Sequence, residues 1–82
     1  MKIIILERAE KALKRIPRKD QLKIISAIDS LAKNPRPRQV KKLTAQPGFR
    51  LRCGNYRILY IVDQKSNAIF IARLAHRKDI YR

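Results

Sequence analysis

The sequence has little of what most metal and catalytic sites are built from. Its 82 residues include one cysteine, one histidine, two glycines and six acidic side chains. The lone Cys53 excludes an internal disulfide, and the lone His76 excludes a histidine-rich metal site. Two isolated glycines cannot form a glycine-rich phosphate loop, and the acidic residues do not pair as a catalytic acid and base would. We therefore expect no metal, no cofactor and no small-molecule substrate.

Long hydrophobic runs are also missing. The apolar run near the start, Ile3 to Leu6, is far too short for a signal sequence or a membrane span. With a single cysteine, this favours a reducing cytoplasm and a protein that makes no membrane insertion. Hydrophobic residues make up 45% of the chain, which is enough for a compact fold with a modest core. The length predicts one small domain over residues 1–82.

What the sequence has in excess is positive charge. Lysine and arginine number 21 against six acidic residues, which gives a net charge of +15. The basic residues are spread along the chain, so the folded body itself is expected to bind a polyanion. Nucleic acid is the first candidate partner, an acidic protein the second and an anionic membrane surface the third.

The first part of the chain predicts a strand followed by two helices. Residues 2–6 form a short strand, and their consecutive β-branched side chains suggest burial on both faces. Apolar residues then recur twice at helical spacing, before Pro17 and before residues 34–37. The two stripes consist of Ala9, Ala12, Leu13 and Ile16, and of Ile24, Ile25, Ile28, Leu31 and Ala32. A very short loop joins these helices into an αα-hairpin.

The rest of the chain predicts a connection and three strands. Residues 34–48 are a basic, proline-bearing connection without apolar periodicity. A hairpin over residues 49–62, a turn over residues 63–67 and a last strand over residues 68–75 follow. The fold class is therefore α+β. An N-terminal strand, an αα-hairpin and a three-stranded antiparallel meander form one mainly antiparallel sheet with the helices on one face.

The hairpin is the most informative segment, because its two-residue turn fixes its register. Gly54-Asn55 is expected to supply the positive φ angles of such a turn. The predicted cross-strand pairs are Cys53 with Tyr56, Arg52 with Arg57, Leu51 with Ile58 and Arg50 with Leu59. Side chains alternate along a strand, so one face is apolar and holds Phe49, Leu51, Cys53, Tyr56, Ile58 and Tyr60. The other face collects Arg50, Arg52 and Arg57.

Opposed arginines on one hairpin indicate an anion site. Like charges directly across a ladder cost some tenths of a kcal/mol, and a bound anion would offset that cost. Arginine suits the purpose because its planar fork pairs bidentately with phosphate. We expect His76, Arg77 and Tyr81 to join this cluster from the last strand and the tail. His76 could move a proton near neutral pH, and Tyr81 offers a ring for base stacking.

Two segments together carry a family resemblance. Residues 48–60 (GFRLRCGNYRILY) and residues 76–82 (HRKDIYR) resemble the RelE/ParE superfamily of bacterial and archaeal toxins, and most closely its RelE branch. The resemblance extends over nearly the whole chain and includes Lys42-Leu43. It implies the α+β ribonuclease fold of RelE. It also implies that the protein cleaves mRNA on the ribosome and thereby inhibits translation. It also implies a cognate acidic antitoxin that wraps the toxin.

The resemblance assigns roles to individual positions. Arg50 and Arg52 match two basic residues of the second strand that are often lysines, and Arg57 matches the arginine after the hairpin aromatic residue. Arg77 matches an arginine thought to support the leaving group, and Tyr81 a tyrosine that stacks on a base. Arginine accepts protons poorly, so charge stabilisation of the transition state is the expected role at positions 50 and 52, and His76 could act as acid or base. Further RNA contacts are expected from Lys41, Lys42, Arg73 and Arg82.

Two alternatives remain open at this stage. A ParE-like protein would poison DNA gyrase without cutting RNA, and it would share the fold and much of the hairpin. A non-catalytic RNA-binding module would keep the basic surface alone. The presence of Arg77 and Tyr81 favours the nuclease.

Overall fold

The computed structural model describes residues 1–38, 40–44 and 47–78. The elements run in the order β1 (Lys2–Ile5), α1 (Glu7–Lys14), α2 (Arg18–Leu31), β2 (Val40–Lys42), β3 (Phe49–Cys53), β4 (Tyr56–Asp63) and β5 (Ala68–His76). The described strands form one sheet of five in the order β1-β5-β4-β3-β2. β1 is parallel to β5, whereas the other neighbours are antiparallel. The α+β class and the meander of the last three strands are confirmed.

The short strand β2 was not predicted. It lies inside the segment that we expected to be an irregular connection, and that expectation was wrong. Val40–Lys42 pairs with β3 at the end of the sheet. An edge strand has one neighbouring strand and commonly carries lysines. A strand of three residues, two of them lysines, is too short to show an alternation of apolar and polar side chains in the sequence.

The prediction that β1 is buried on both faces was also wrong. Ile3 and Ile4 are only partly buried, and Ile5 is 36% exposed. β1 is the other edge of the sheet and has β5 as its single ladder partner. A run of β-branched residues here therefore reflects strand propensity more than burial.

The helices cover one face of the sheet and close the core over it. The buried cluster consists of Ala9, Leu13, Ile24, Ile28, Leu31, Leu51, Ile58, Tyr60, Ile69, Ile71 and Leu74. Ile25 was predicted to belong to the α2 stripe, yet it is 38% exposed. Ile24, Ile28 and Leu31 follow the i, i+4, i+7 spacing of one face, and Ile25 lies about 100° further round the helix. We call the uncovered face of the sheet the open face.

The hairpin register is confirmed at every predicted pair. Cys53 pairs with Tyr56 and Arg52 with Arg57, and the apolar face of the hairpin packs on the core. The turn differs in one detail from the expectation. Gly54 has a φ of 59°, whereas Asn55 is not among the described residues with positive φ. Glycine at the first central position is typical of a type II′ turn, which needs only one positive φ.

A β-bulge in β5 determines which side chains reach the open face. The register shifts between Leu59, which pairs with Arg73, and Tyr60, which pairs with Ile71, so that Ala72 has no ladder partner. An extra residue reverses the alternation of a strand. Ile71 and Leu74 can therefore both enter the core although they are three residues apart. Arg73 consequently shares the open face with Leu59.

Gly48 holds the loop before β3 against β4. Its φ is 122°, and a Cβ added there would lie 2.8 Å from the Tyr60 carbonyl oxygen. The Leu43 N–H donates a hydrogen bond of 3.0 Å to the Gly48 carbonyl. Only glycine combines this φ with so close a backbone approach. The loop therefore brings Leu43 and Pro47 over the open face.

Candidate nucleic-acid interface

Four basic side chains from three strands converge on the open face. Lys41 of β2, Arg50 and Arg52 of β3 and Arg57 of β4 line a depression of about 200 Å³, and we call them the basic cluster. The ladders place Lys41 beside Arg50 and Arg52 beside Arg57. Arg50 and Arg57 are half-buried, whereas Lys41 and Arg52 are exposed. The sheet thus concentrates positive charge in one concave patch.

The electrostatics of Arg57 show how close these charges are. The pKa of the Arg57 guanidinium is lowered. The largest cause is partial burial, and repulsion from Arg52, Arg50 and Arg77 adds to it in that order. A guanidinium nevertheless stays charged at any ordinary pH, so the repulsion persists. The Arg57 Nη1 donates a hydrogen bond of 3.2 Å to the Tyr56 carbonyl, which holds the side chain over the sheet.

Arg77 lies next to the hairpin turn that joins the two arginine-bearing strands. Its backbone N–H donates a hydrogen bond of 2.7 Å to the Asn55 carbonyl in the hairpin turn. This bond ties the end of β5 to the turn beside Arg52 and Arg57. The charge of Arg77 is also the smallest of the causes that lower the pKa of Arg57, after partial burial and the charges of Arg52 and Arg50.

His76 lies on the opposite face from the basic cluster. Arg57 pairs with Ala75, so the next residue along the strand, His76, faces the helix side and pairs with Tyr56. The His76 and Tyr56 rings meet edge to face with centroids 5.6 Å apart. His76 also lines a groove with Arg15 and Ile16 of the helical hairpin. The structure therefore does not bring His76 together with the arginines.

The remaining predicted RNA contacts are distributed unevenly. Arg73 reaches the open face through the β-bulge. Lys42 pairs with Phe49, whose ring packs on the core, so it projects at the edge away from the basic cluster. Tyr81 and Arg82 lie outside the residues that the structure describes.

A second concavity adjoins the basic cluster, and sequence reasoning missed it. We call it the side groove. It has a volume of about 260 Å³, an apolar wall and two arginines, and it is lined by Arg8, Leu43, Pro47, Leu59, Tyr60, Ile61, Ala72 and Arg73. Arg8 comes from α1, whose helical stripe gave no sign that it borders the sheet. The β-bulge that turns Arg73 to the open face has no signal in the sequence either.

Two further observations concern metal ligands and membrane-spanning helices. Within residues 1–38, 40–44 and 47–78, no three histidine, cysteine or carboxylate side chains are grouped as metal ligands would be. In the same part of the chain, every helix is too short or too polar to cross a membrane.

Comparison with known proteins places the chain in a family. The family model described as the ParE toxin of the type II toxin–antitoxin system parDE matches residues 3–81. The toxin RelG of Mycobacterium tuberculosis is 47% identical over 34 residues, which span 42% of this chain and 39% of that protein's length. The chain thus spans well under half of the curated relative in that match.

Solved structures with the same fold cover the chain more fully. The RelE–RelB complex of Pyrococcus horikoshii contains a chain that is 30% identical, with a TM-score of 0.82 over 95% of this chain and 96% of that one. The RelBE2 toxin–antitoxin complex of Mycobacterium tuberculosis also gives a TM-score of 0.82, at 25% identity over 93% of this chain and 96% of that one.

Proposed function

This chain belongs to the ParE toxin family of type II toxin–antitoxin systems, within the RelE/ParE superfamily, and we propose that it is an endoribonuclease that cleaves mRNA on the ribosome. One observation carries the proposal. Lys41, Arg50, Arg52 and Arg57 converge on an open sheet face, with Arg77 beside them. A concave group of guanidinium forks suits a phosphodiester whose negative charge grows during cleavage.

The reaction would proceed by attack of a ribose 2′-oxygen on the adjacent phosphorus. A bond forms between these atoms, and the bond from phosphorus to the 5′-oxygen of the next nucleotide breaks. The 2′-hydroxyl loses a proton and the departing 5′-oxygen gains one. The basic cluster would stabilise the negative charge on the non-bridging oxygens of the pentacoordinate phosphorus, and Arg77 would support the leaving oxygen. Tyr81 is proposed to stack on a neighbouring base.

Proton transfer is the step that the basic cluster supports least. Arginine keeps its proton, so Arg50, Arg52 and Arg57 serve as fixed charges. His76 faces the helix side of the sheet, away from the basic cluster. We therefore assign catalysis mainly to orientation and charge stabilisation.

A cognate acidic antitoxin is the proposed regulator. The net charge of +15 favours a strongly acidic partner, and the two solved neighbours described above are complexes of a toxin with its antitoxin. Such a partner would neutralise the open face and compete with RNA for it.

The test is induction of the chain in a bacterial host followed by mapping of transcript 5′ ends. Cuts in phase with codons inside translated regions are expected, together with growth arrest. Arg57→Ala should abolish the cuts. Lys33→Ala is the control, because it also removes one positive charge, just beyond the end of α2, and it should not change the cuts. Growth arrest without any codon-phased cuts would refute the proposal.

A second candidate function is inhibition of DNA gyrase. The matching family model is named for ParE, whose system is parDE. Gyrase poisoning would appear as DNA breaks and an induced damage response without new transcript ends. The same induction experiment therefore separates the two functions.

A further inference from the structure

We propose that the side groove is a second nucleotide subsite, which takes the nucleotide next to the one held at the basic cluster. Arg73 and Arg8 would bind the flanking phosphate, and the apolar wall would carry the base or ribose. The proposal rests on the proposed function, because it assumes that RNA occupies the basic cluster.

The first argument is the alignment of residues across the sheet. Lys41, Arg50, Leu59 and Arg73 are successive ladder partners on β2, β3, β4 and β5. Neighbouring strands lie about 4.8 Å apart, so the backbones of Arg50 and Arg73 are separated by about 10 Å. Leu59 lies between them and is buried at 9% exposure. A nucleotide with a phosphate on each side can bridge the distance between Arg50 and Arg73 when the two arginine side chains lean toward each other.

The second argument is the chemistry of the side groove. Its wall includes Ile61, which is 39% exposed and makes an apolar surface beside the two guanidinium groups. Ribose and base faces pack on apolar side chains, and guanidinium groups bind phosphate or stack on a base. The side groove therefore offers both kinds of contact that one nucleotide needs.

The third argument is the β-bulge. A regular β5 would point Arg73 toward the same side as Ile71, which is fully buried in the core. The extra residue at Ala72 turns Arg73 to the open face and keeps Leu74 buried. Bulges commonly re-aim a side chain beside a functional site.

An acidic peptide with aliphatic side chains would also match this surface. Continuity with the basic cluster favours the nucleotide. A single strand carries one phosphate per nucleotide, so a strand bound at the basic cluster must present its next phosphate to the adjoining surface. Leu59 borders the side groove and pairs directly with Arg50 of the basic cluster.

The experiment measures binding of purified protein to a single-stranded RNA that is fully 2′-O-methylated, which blocks the nucleophile. The dissociation constant is followed against salt concentration. Arg73→Ala and Arg8→Ala should each reduce the slope of log affinity against log salt by about 0.7, the value for one lost phosphate contact on a single strand. Arg73→Lys should keep the slope, because it retains the charge.

A second pair of variants tests the apolar wall. Ile61→Asn should weaken binding several-fold without changing the salt slope. Ile25→Asn is the matched control, because Ile25 is 38% exposed on α2 and Ile61 is 39% exposed. Thermal unfolding shows whether each variant is folded at the temperature of the binding assay.

The outcomes are distinguishable. If the wild type binds RNA with a steep salt dependence but Arg73→Ala and Arg8→Ala leave the slope unchanged, the subsite is refuted and the proposed function stands. If these variants weaken the binding of a synthetic peptide rich in glutamate and leucine but leave RNA binding unchanged, the side groove is a peptide site and the proposal is wrong. If the wild type neither binds RNA nor cuts transcripts, both proposals fail together.

Discussion

Arg52 and Arg57 lie directly opposite each other in the β3–β4 ladder, and, after partial burial, repulsion from Arg52 is the next largest cause of the lowered pKa of Arg57. The lowered pKa means that the folded state disfavours the charged form of this side chain. Since a guanidinium stays charged near neutral pH, changing the pH in that range does not relieve the repulsion. The repulsion between Arg52 and Arg57 is relieved only when an anion binds or when one of the two charges is removed by mutation.

The first prediction concerns stability. Arg52→Gln should raise the free energy of unfolding by a few tenths to about 1 kcal/mol, because it removes one of two opposed like charges. Urea denaturation measures the change. The control is Lys2→Gln, because Lys2 is an exposed residue of β1 and pairs with the uncharged Ala68 of β5. Added polyphosphate should raise the melting temperature of the wild type more than that of Arg52→Gln. Equal shifts would show that the anion binds elsewhere.

The second prediction separates His76 from the arginines. Arg57→Ala and Arg77→Ala should relieve growth inhibition, because they remove charge from the basic cluster and its neighbour. His76→Gln should leave growth inhibition nearly unchanged, since its ring packs on Tyr56 across the sheet. Colony counts after induction, with protein levels checked by immunoblot, provide the measurement. A non-toxic but folded His76→Gln would show that the histidine reaches the reaction despite its position.

The features that local chemistry determines could be predicted from the sequence. A two-residue turn at Gly54-Asn55 leaves one register for the hairpin, and alternation then places Arg52 and Arg57 on the same face. Helical spacing around Ala9 and Ile28 likewise predicts two helices with buried stripes, and both residues lie in the core. The three arginines of the basic cluster follow from these local rules, whereas Lys41 enters the cluster only through the pairing of β2 with β3.

The features that depend on distant parts of the chain could not be predicted. β2 exists because β3 is there to pair with it, and the parallel pairing of β1 with β5 joins the two ends of the described chain. The β-bulge at Ala72 is set by packing of Ile71 and Leu74 in one core. It also places His76 on the helix side, which the order of residues 70–76 alone leaves ambiguous.

The third prediction concerns the loop before β3. Gly48→Ala should destabilise the protein by about 1–3 kcal/mol, because the new Cβ would lie 2.8 Å from the Tyr60 carbonyl at a φ of 122°. Gly54→Ala is the control for positive φ alone, since the space around that position is open. Denaturant midpoints measure both, and the loss should be larger at Gly48. Equal losses would assign the whole effect to backbone strain.

The last prediction concerns alkaline stability. Tyr60 is 1% exposed, and its hydroxyl donates a hydrogen bond of 2.6 Å to the Pro35 carbonyl. Burial raises the pKa of Tyr60 to about 12 from an ordinary value of 10, and the charge of Arg36 opposes this only in part. The folded state therefore favours the protonated phenol. The resulting stabilisation is complete below pH 10 and is lost as the pH rises toward about 12.

Tyr60→Phe should lower the free energy of unfolding at neutral pH by about 1 kcal/mol, because the buried hydrogen bond is lost. Between pH 10 and about 12, where the wild type loses the contribution of this phenol, the variant should lose less, since it has no group to ionise there. Denaturant midpoints across this range provide the measurement, and Tyr56→Phe on the same strand is the control. Parallel pH curves for wild type and Tyr60→Phe would show that another group governs alkaline unfolding.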